Sequence, residues 1–334
     1  MKTSTIVVKR DEVGRPVVSL LKHHLHISWS QARRLVEQRR VRQGPGLCRD
    51  AQSRVRLGQK LRVRLDDAKP PPPSPPPPRK AAGPQPVVRY ADAQIVVVDK
   101  PAGLTTMRHA HEAAEFGPRG KRFLPATLAD LLPELLAAHG KGRGRVIAVH
   151  RLDRDTSGLV VFARSAAAAR HLGAQFRAHT TERTYLALVR GRARAERIET
   201  ELVPDRGDGR RGSGAEGQRA VTHVRVVEEL GPFTLVECQL ETGRTHQVRI
   251  HLGERGTPIA GERIYDRPLH GAPRPDESGA RRLLLHAATL ALDHPTTGKR
   301  LRWKAPLPAD FEKVLRHCRH GRLPRTTRKS EEAP

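Results

Sequence analysis

Residues 70–78 read Pro-Pro-Pro-Pro-Ser-Pro-Pro-Pro-Pro, and neither a sheet nor a helix can run through them. Proline offers no backbone donor and holds φ at about −65°, so the run favours an extended polyproline II rod. Nine such residues span about 28 Å at ~3.1 Å each. Lys69, Arg79 and Lys80 flank the rod and make it a stiff, basic spacer. The chain is thereby split into parts that must each bury their own apolar surface. These are a small domain over 1–67, a linker over 68–86, a large domain over 87–320 and a polar tail, expected to be disordered, over 321–334. A docking segment for a proline-reading domain is the other use of such a run, and nothing else in the chain favours it.

The 334 residues leave room for one large domain beside the small one. Lys and Arg number 62 against 35 Asp and Glu, a formal charge of +27. That balance suits a polyanionic partner, either nucleic acid or an acidic membrane surface. No apolar run approaches the roughly 20 residues that span a bilayer, and residues 1–10 lack the apolar core of a secretory signal. Nucleic acid is the better match, and a cytoplasmic location is expected. Cys48, Cys238 and Cys318 are far apart and form no Cys-x-x-Cys pair, so neither a disulfide framework nor a structural zinc site is expected. His23, His24 and His26 have no acidic or cysteine partners nearby and read as a solvated or RNA-facing surface. No metal and no cofactor are expected; the chain contains no Gly-x-x-x-x-Gly-Lys loop.

Residues 1–67 carry 16 Lys or Arg against 6 Asp or Glu, a net of +10. Ser30 is placed to cap a helix over 31–40, with Ala32, Leu35 and Val36 inward and Arg33, Arg34, Arg39 and Arg40 outward. A turn at Gln43-Gly44-Pro45-Gly46 and short strands around Gly58 follow. This order resembles the S-four-type RNA-binding domain; a generic basic α/β module that meets phosphates is the alternative.

Beyond the spacer, Ile95–Val98 reads as a buried strand. Thr127 caps a helix over 128–138, Ser165 another over 166–178, and Pro308 opens a third over 308–318. Strands are expected over 185–189, 221–227, 233–240 and 283–292, the last joined to 301–303 by a hairpin turn at Pro295-Thr296-Thr297-Gly298. Hairpin-linked strands with a few covering helices indicate α+β, not a doubly wound parallel sheet. Residues 206–217, rich in Gly and Arg, are expected to form a flexible, phosphate-reaching loop.

Between the strand-like segments Val146–Val149 and Leu159–Ala163 lies His150-Arg151-Leu152-Asp153-Arg154-Asp155-Thr156-Ser157-Gly158. A turn held by strands presents reactive side chains, and Asp153 stands between two cations. An aspartate so placed serves as nucleophile, general base or electrostatic stabiliser; a merely solvated turn is the plainer reading. The string resembles the signature loop of the RluA-type pseudouridine synthases of RNA. Three further segments match that family in order. They are Asp99-Lys100-Pro101-Ala102-Gly103, then Arg183-Thr184-Tyr185-Leu186-Ala187-Leu188-Val189, then Thr242 through His251 continued by Gly256-Thr257-Pro258-Ile259-Ala260-Gly261.

The resemblance implies a mixed, mostly antiparallel catalytic sheet and an enzyme that turns uridine into pseudouridine in RNA. It makes Asp153 the essential carboxylate, attacking C1′ or removing the C2′ proton, with Arg249 as its charge partner. From the residues alone Arg249 reads as a phosphate contact on a helix over 245–252. Tyr185 alone would be a core residue with its hydroxyl at the rim; by resemblance its ring stacks on the flipped uracil and its hydroxyl is a candidate base for C5. Arg151 matches an arginine that fills the space of the extruded base, and a phosphate contact is its other reading. His150, Arg244, Thr245, His246 and Gln247 are expected to bind substrate. Departures from the pattern are Arg183 for lysine, Glu262 for aspartate, and Met107-Arg108-His109 for His-Pro. Ribosomal RNA is the expected substrate, transfer RNA the second choice, and the protein is expected to be a monomer. A catalytically silent RNA-binding or ribosome-assembly protein is the alternative from another class, and a hydrolase using Asp153 lacks a second carboxylate cluster for metals.

Overall fold

The computed structural model describes residues 3–27, 29–48, 50, 53–65, 85–108, 125–142 and 144–321. The core of the expected linker, 68–84, and the tail after 321 lie outside the described residues, as does the side chain of Ser30. Contacts along the chain divide it into two compact units, Met1–Pro78 and Arg79–Pro334.

The first unit runs β1 (Thr3–Val7), α1 (Val17–Leu25), α2 (Trp29–Glu37), β2 (Val41–Gln43), β3 (Gly46–Leu47) and β4 (Lys60–Arg64). Its antiparallel sheet has the order β1-β4-β2-β3. Ile6, Val18, Leu21, Ala32, Val36, Leu61 and Val63 form its core. Helix α2 starts at Trp29, so Ser30 lies inside it and is not its cap. It also stops short of Arg40, because Arg39 adopts a left-handed φ of 56°.

The second unit is built on a sheet of β5 (Val87–Ala91), β6 (Ile95–Lys100), β7 (Ile147–Ala148), β8 (Ser157–Ala163), β9 (Glu182–Arg190), β10 (Glu196–Val203), β11 (Gly212–Ser213), β12 (Gln218–Leu230), β13 (Phe233–Leu240), β14 (Leu285–Asp293) and β15 (Arg300–Lys304). Its order is β11-β10-β12-β13-β9-β14-β8-β6-β5, with β15 added to β14 and β7 to β8. Among the described strands only β14 and β8 pair in parallel; the rest of the sheet is antiparallel. The architecture is α+β. Helices α3 (Leu128–Ala138), α4 (Ala166–Arg177), α5 (Gln247–Glu254) and α6 (Ala309–Arg319) complete the unit.

The alternation of side chains along a strand sorts the apolar runs to two faces. Val96, Val98, Val160 and Phe162 join Leu128, Leu132 and Leu136 of α3 and Phe311 and Leu315 of α6 in one core. Ile95, Val97, Leu159 and Val161 pack instead with Ala168 and Leu172 of α4. A strand buried on both faces needs an unbroken apolar sequence, which β6 and β8 supply. The caps are local: Thr127 and Asp130 exchange side-chain to backbone bonds, and the Ser165 hydroxyl accepts from Ala168 N.

Residues 206–217 are not a loose loop. Asp208 accepts from Arg206 and Arg210, Asp205 accepts from the amides of Gly207 and Gly209, and β11 pairs with β10. The Ser213 amide donates to Glu254 at 2.9 Å, tying the segment to the end of α5. Carboxylates within and beside the segment occupy Arg206 and Arg210.

Candidate active site

The loop between β7 and β8 is held at three points. His150 Nε2 accepts from the Val161 amide at 3.0 Å, and its ring stacks on Phe176 with centroids 4.4 Å apart. Burial pushes its pKa down to about 3, so the imidazole is neutral. The Thr106 hydroxyl donates to Leu152 O at 2.8 Å and accepts from Leu152 N at 3.2 Å, satisfying both backbone groups of the residue before Asp153. The Thr156 amide then donates to Asp153 O at 3.2 Å, closing the turn. Gly158 follows with φ 113°, and a Cβ there would meet Ala287 O at 2.3 Å. Glycine is required because β14 runs against the loop's exit.

Asp153, thus fixed, meets two groups from the α5 region. Its Oδ2 lies 3.5 Å from Arg249 Nη1 and its Oδ1 lies 3.8 Å from His246 Nε2. Arg249 has a stronger partner. Its Nε and Nη2 donate to Glu262 at 2.7 and 2.8 Å, a fork-to-fork pair. Glu262 also accepts from the amides of Arg263 and Ile264 at 3.0 and 2.8 Å. Burial opposes the Arg249 charge, but the hydrogen-bonded Glu262 and then Asp153 outweigh it, and its pKa stands above the ordinary value. Burial likewise opposes the Glu262 charge, yet the bonds from Arg249 hold its carboxyl below the usual range. Arg249 therefore stays charged and aimed, with one free edge toward Asp153. Its guanidinium also lies 5.2 Å above the Tyr265 ring.

His246 enters α5 in a left-handed conformation, φ 60°, which explains why the helix begins at Gln247 and not at Thr245. Its Nδ1 pairs with the Tyr265 hydroxyl at 2.7 Å, and burial lowers its pKa despite Asp153 nearby. Burial pushes the Tyr265 hydroxyl up to about 12.

Asp153, Tyr185, Arg151, Arg244, His246 and Arg249 line one cavity of about 660 Å³. Tyr185 sits on β9 between Cys238 of β13 and Ala287 of β14. Its hydroxyl has no hydrogen-bond partner among the described residues, and burial raises its pKa, so it is a neutral phenol. Arg183, on the same strand, lies 5.6 Å over the Phe176 ring.

Two expected substrate contacts, Gln247 and His150, line the same cavity and also hold its walls together. Gln247 is buried, its Oε1 accepting from Thr242 and the Arg244 amide and its Nε2 donating to Val221 O and Thr222. That leaves its amide no capacity for a ligand. The His150 ring, bonded and stacked, positions the loop. Thr245 is exposed and does not line the cavity. His251, on the same helix, is buried between Thr200 and Thr222 and faces no phosphate. Sequence reasoning gave no role to Glu262, Tyr265, Thr106 or Lys100. Two had left a signal: Glu262 as a departure from the family pattern, and Lys100 as part of the matching segment Asp99–Gly103.

A carboxylate 3.5 Å from a buried arginine and a buried tyrosine share one cavity in a strongly basic chain, an arrangement that fits an enzyme acting on a base of a nucleic acid. The family described as RNA pseudouridylate synthase matches residues 94–254. An uncharacterised RNA pseudouridine synthase of Synechocystis is 32% identical over 305 residues, covering 89% of this chain and 86% of the relative. The ribosomal large subunit pseudouridine synthase D of Pseudomonas aeruginosa is 36% identical over 246 residues, covering 70% and 72%. The solved structure of human RNA pseudouridylate synthase domain containing 4 superposes with a TM-score of 0.55 at 25% identity, covering 70% of this chain and 92% of that one. The chain belongs to the RNA pseudouridine synthase family.

Proposed function

We propose that this protein isomerises specific uridines of ribosomal RNA, with Asp153 as the catalytic carboxylate. The observation that carries the reading is the Asp153 carboxylate in the cavity wall, 3.5 Å from an arginine that Glu262 keeps charged. The reaction breaks N1–C1′, turns the uracil, joins C5 to C1′, and moves the C5 proton to solvent while N1 gains one. It needs no redox partner. Two routes are open to Asp153, attack on C1′ or removal of the C2′ proton, and Arg249 lies 3.5 Å from the carboxylate that would serve either.

The uracil must leave its stack to enter the cavity. Tyr185 is the ring on which it lies. A neutral phenol is a poor proton acceptor, so this ring role is favoured over C5 deprotonation. Arg151 and Arg244 at the cavity wall supply cations for the flanking phosphates or the vacated stack. Ribosomal RNA is favoured by the relatives whose names carry that substrate, transfer RNA being second. The first unit, read as an S-four-type module over 1–67, and the linker over 68–86 add phosphate contacts to the catalytic domain over 87–320. The protein is proposed to work as a cytoplasmic monomer; no described helix is long and apolar enough to cross a membrane.

The test is pseudouridine formation, followed by tritium release from 5-tritiated uridine in large-subunit ribosomal RNA. Asp153→Asn is expected to abolish release with RNA affinity retained, since binding is spread over many cations. Turnover near wild type would sink the assignment.

A further inference from the structure

Lys100 ends β6, and none of its surface reaches solvent. Its Nζ donates to the carbonyls of Pro101 at 3.0 Å, Leu104 at 2.8 Å and Arg154 at 3.1 Å. The first two belong to the turn after β6; the third belongs to the residue that follows Asp153. We infer that Lys100 is a positioning residue whose buried ammonium clamps the Asp153 loop to that turn. A second strap runs beside it, the Gly103 amide donating to Arg154 O at 2.8 Å and Arg154 Nε donating to Gly103 O at 3.2 Å.

A fully buried amine that served only to fill space would be replaced at lower cost by an apolar chain. Here three carbonyl dipoles converge on one nitrogen, which matches the three donors of an ammonium and exceeds the two of a neutral amine. The charged groups that act on it are Asp153 and Asp155 of the loop, which favour the cation, and Arg282 before β14, which opposes it. Arg282 is itself paired with Asp310 at 2.6 Å. Burial pushes the Lys100 pKa down to about 7, with the two carboxylates pulling the other way. The amine is therefore charged in mild acid and loses its third donor as the pH rises through that value. The clamp then slackens beside the carboxylate, and misplacement of a catalytic group by about 1 Å costs roughly 100-fold in rate.

The inference rests on Asp153 being the catalytic carboxylate. Single-turnover tritium release from 5-tritiated uridine in large-subunit ribosomal RNA is measured with the full-length protein between about pH 6 and 9, a window that brackets the Lys100 value. Lys100→Met, which fills the volume without a charge, is expected to be roughly 100-fold slower at the acid end with unchanged RNA affinity. The ratio to wild type should shrink toward one at the alkaline end, as the wild-type lysine itself discharges. Lys100→Arg, charged throughout, should lack the alkaline fall. A Lys100→Met rate equal to wild type at the acid end, or lower by one constant factor at every pH, overturns the clamp. Should Lys100→Met fail to fold, an alkaline fall that persists in Lys100→Arg overturns it equally. Full activity of Asp153→Asn would mark a separate failure, that of the catalytic assignment.

Discussion

One buried arginine serves two carboxylates in this site, and the division of labour between them is geometric. Glu262 takes the fork of Arg249 at 2.7 and 2.8 Å and is wholly buried, while Asp153 receives the remaining edge at 3.5 Å and stays open to the cavity. Glu262→Gln removes the compensating charge, and breaking a buried pair in this way costs about 3 kcal/mol. The loss should appear in denaturant unfolding at neutral pH. Because the Glu262 carboxyl is held below its ordinary range, its contribution is present above that range and disappears as acid protonates it, so wild type and variant should converge in stability at low pH. Tyr185 offers a second prediction. Its hydroxyl makes no hydrogen bond among the described residues, so Tyr185→Phe should slow single turnover at most about tenfold, the worth of one hydrogen bond. Tyr185→Ala also removes the stacking face and should cost about 1–3 kcal/mol more. A hundredfold loss in the phenylalanine variant would instead give the hydroxyl a part in proton transfer.

Elements position these residues through a few places where backbone meets backbone. The loop with Asp153 leaves into β8 at Gly158, whose φ of 113° and missing side chain let β14 pass. Gly158→Ala should destabilise the protein by about 3 kcal/mol or more, since strain at a left-handed backbone adds to a direct clash. A shift in urea midpoint with unchanged slope would read it; a midpoint equal to wild type would show that β14 yields at little cost. Similarly, the left-handed His246 turns the chain into α5 so that Arg249 and His246 both face Asp153.

At the scale of the whole molecule, the two units have separate cores. The first carries a net +10 over 1–67 and none of the residues lining the cavity. A chain beginning at residue 81 should bind ribosomal RNA more weakly and with a shallower salt dependence, because fewer phosphates are neutralised. At saturating RNA it should still form pseudouridine. A shortened chain that melts like the second unit yet is inactive would place part of the chemistry in the first.

What the sequence determined was local or patterned. The α+β class followed from hairpin-linked apolar runs, the helices after Thr127 and Ser165 from their caps, and the principal site residues from motifs that resemble a family. Some elements were not read: β10 buries only Ile198 and Leu202, and α1 was passed over although Val17, Leu20, Leu21 and Leu25 stand at helical spacing over a single short run. Tertiary structure alone decided the partnerships. Arg249 and Glu262 are 13 residues apart, Arg249 and Asp153 are 96 apart, and Lys100 reaches Arg154 across 54. No local rule reads such pairs, because a buried charge is satisfied by whatever the folded sheet brings within about 3 Å of it, not by its neighbours in sequence.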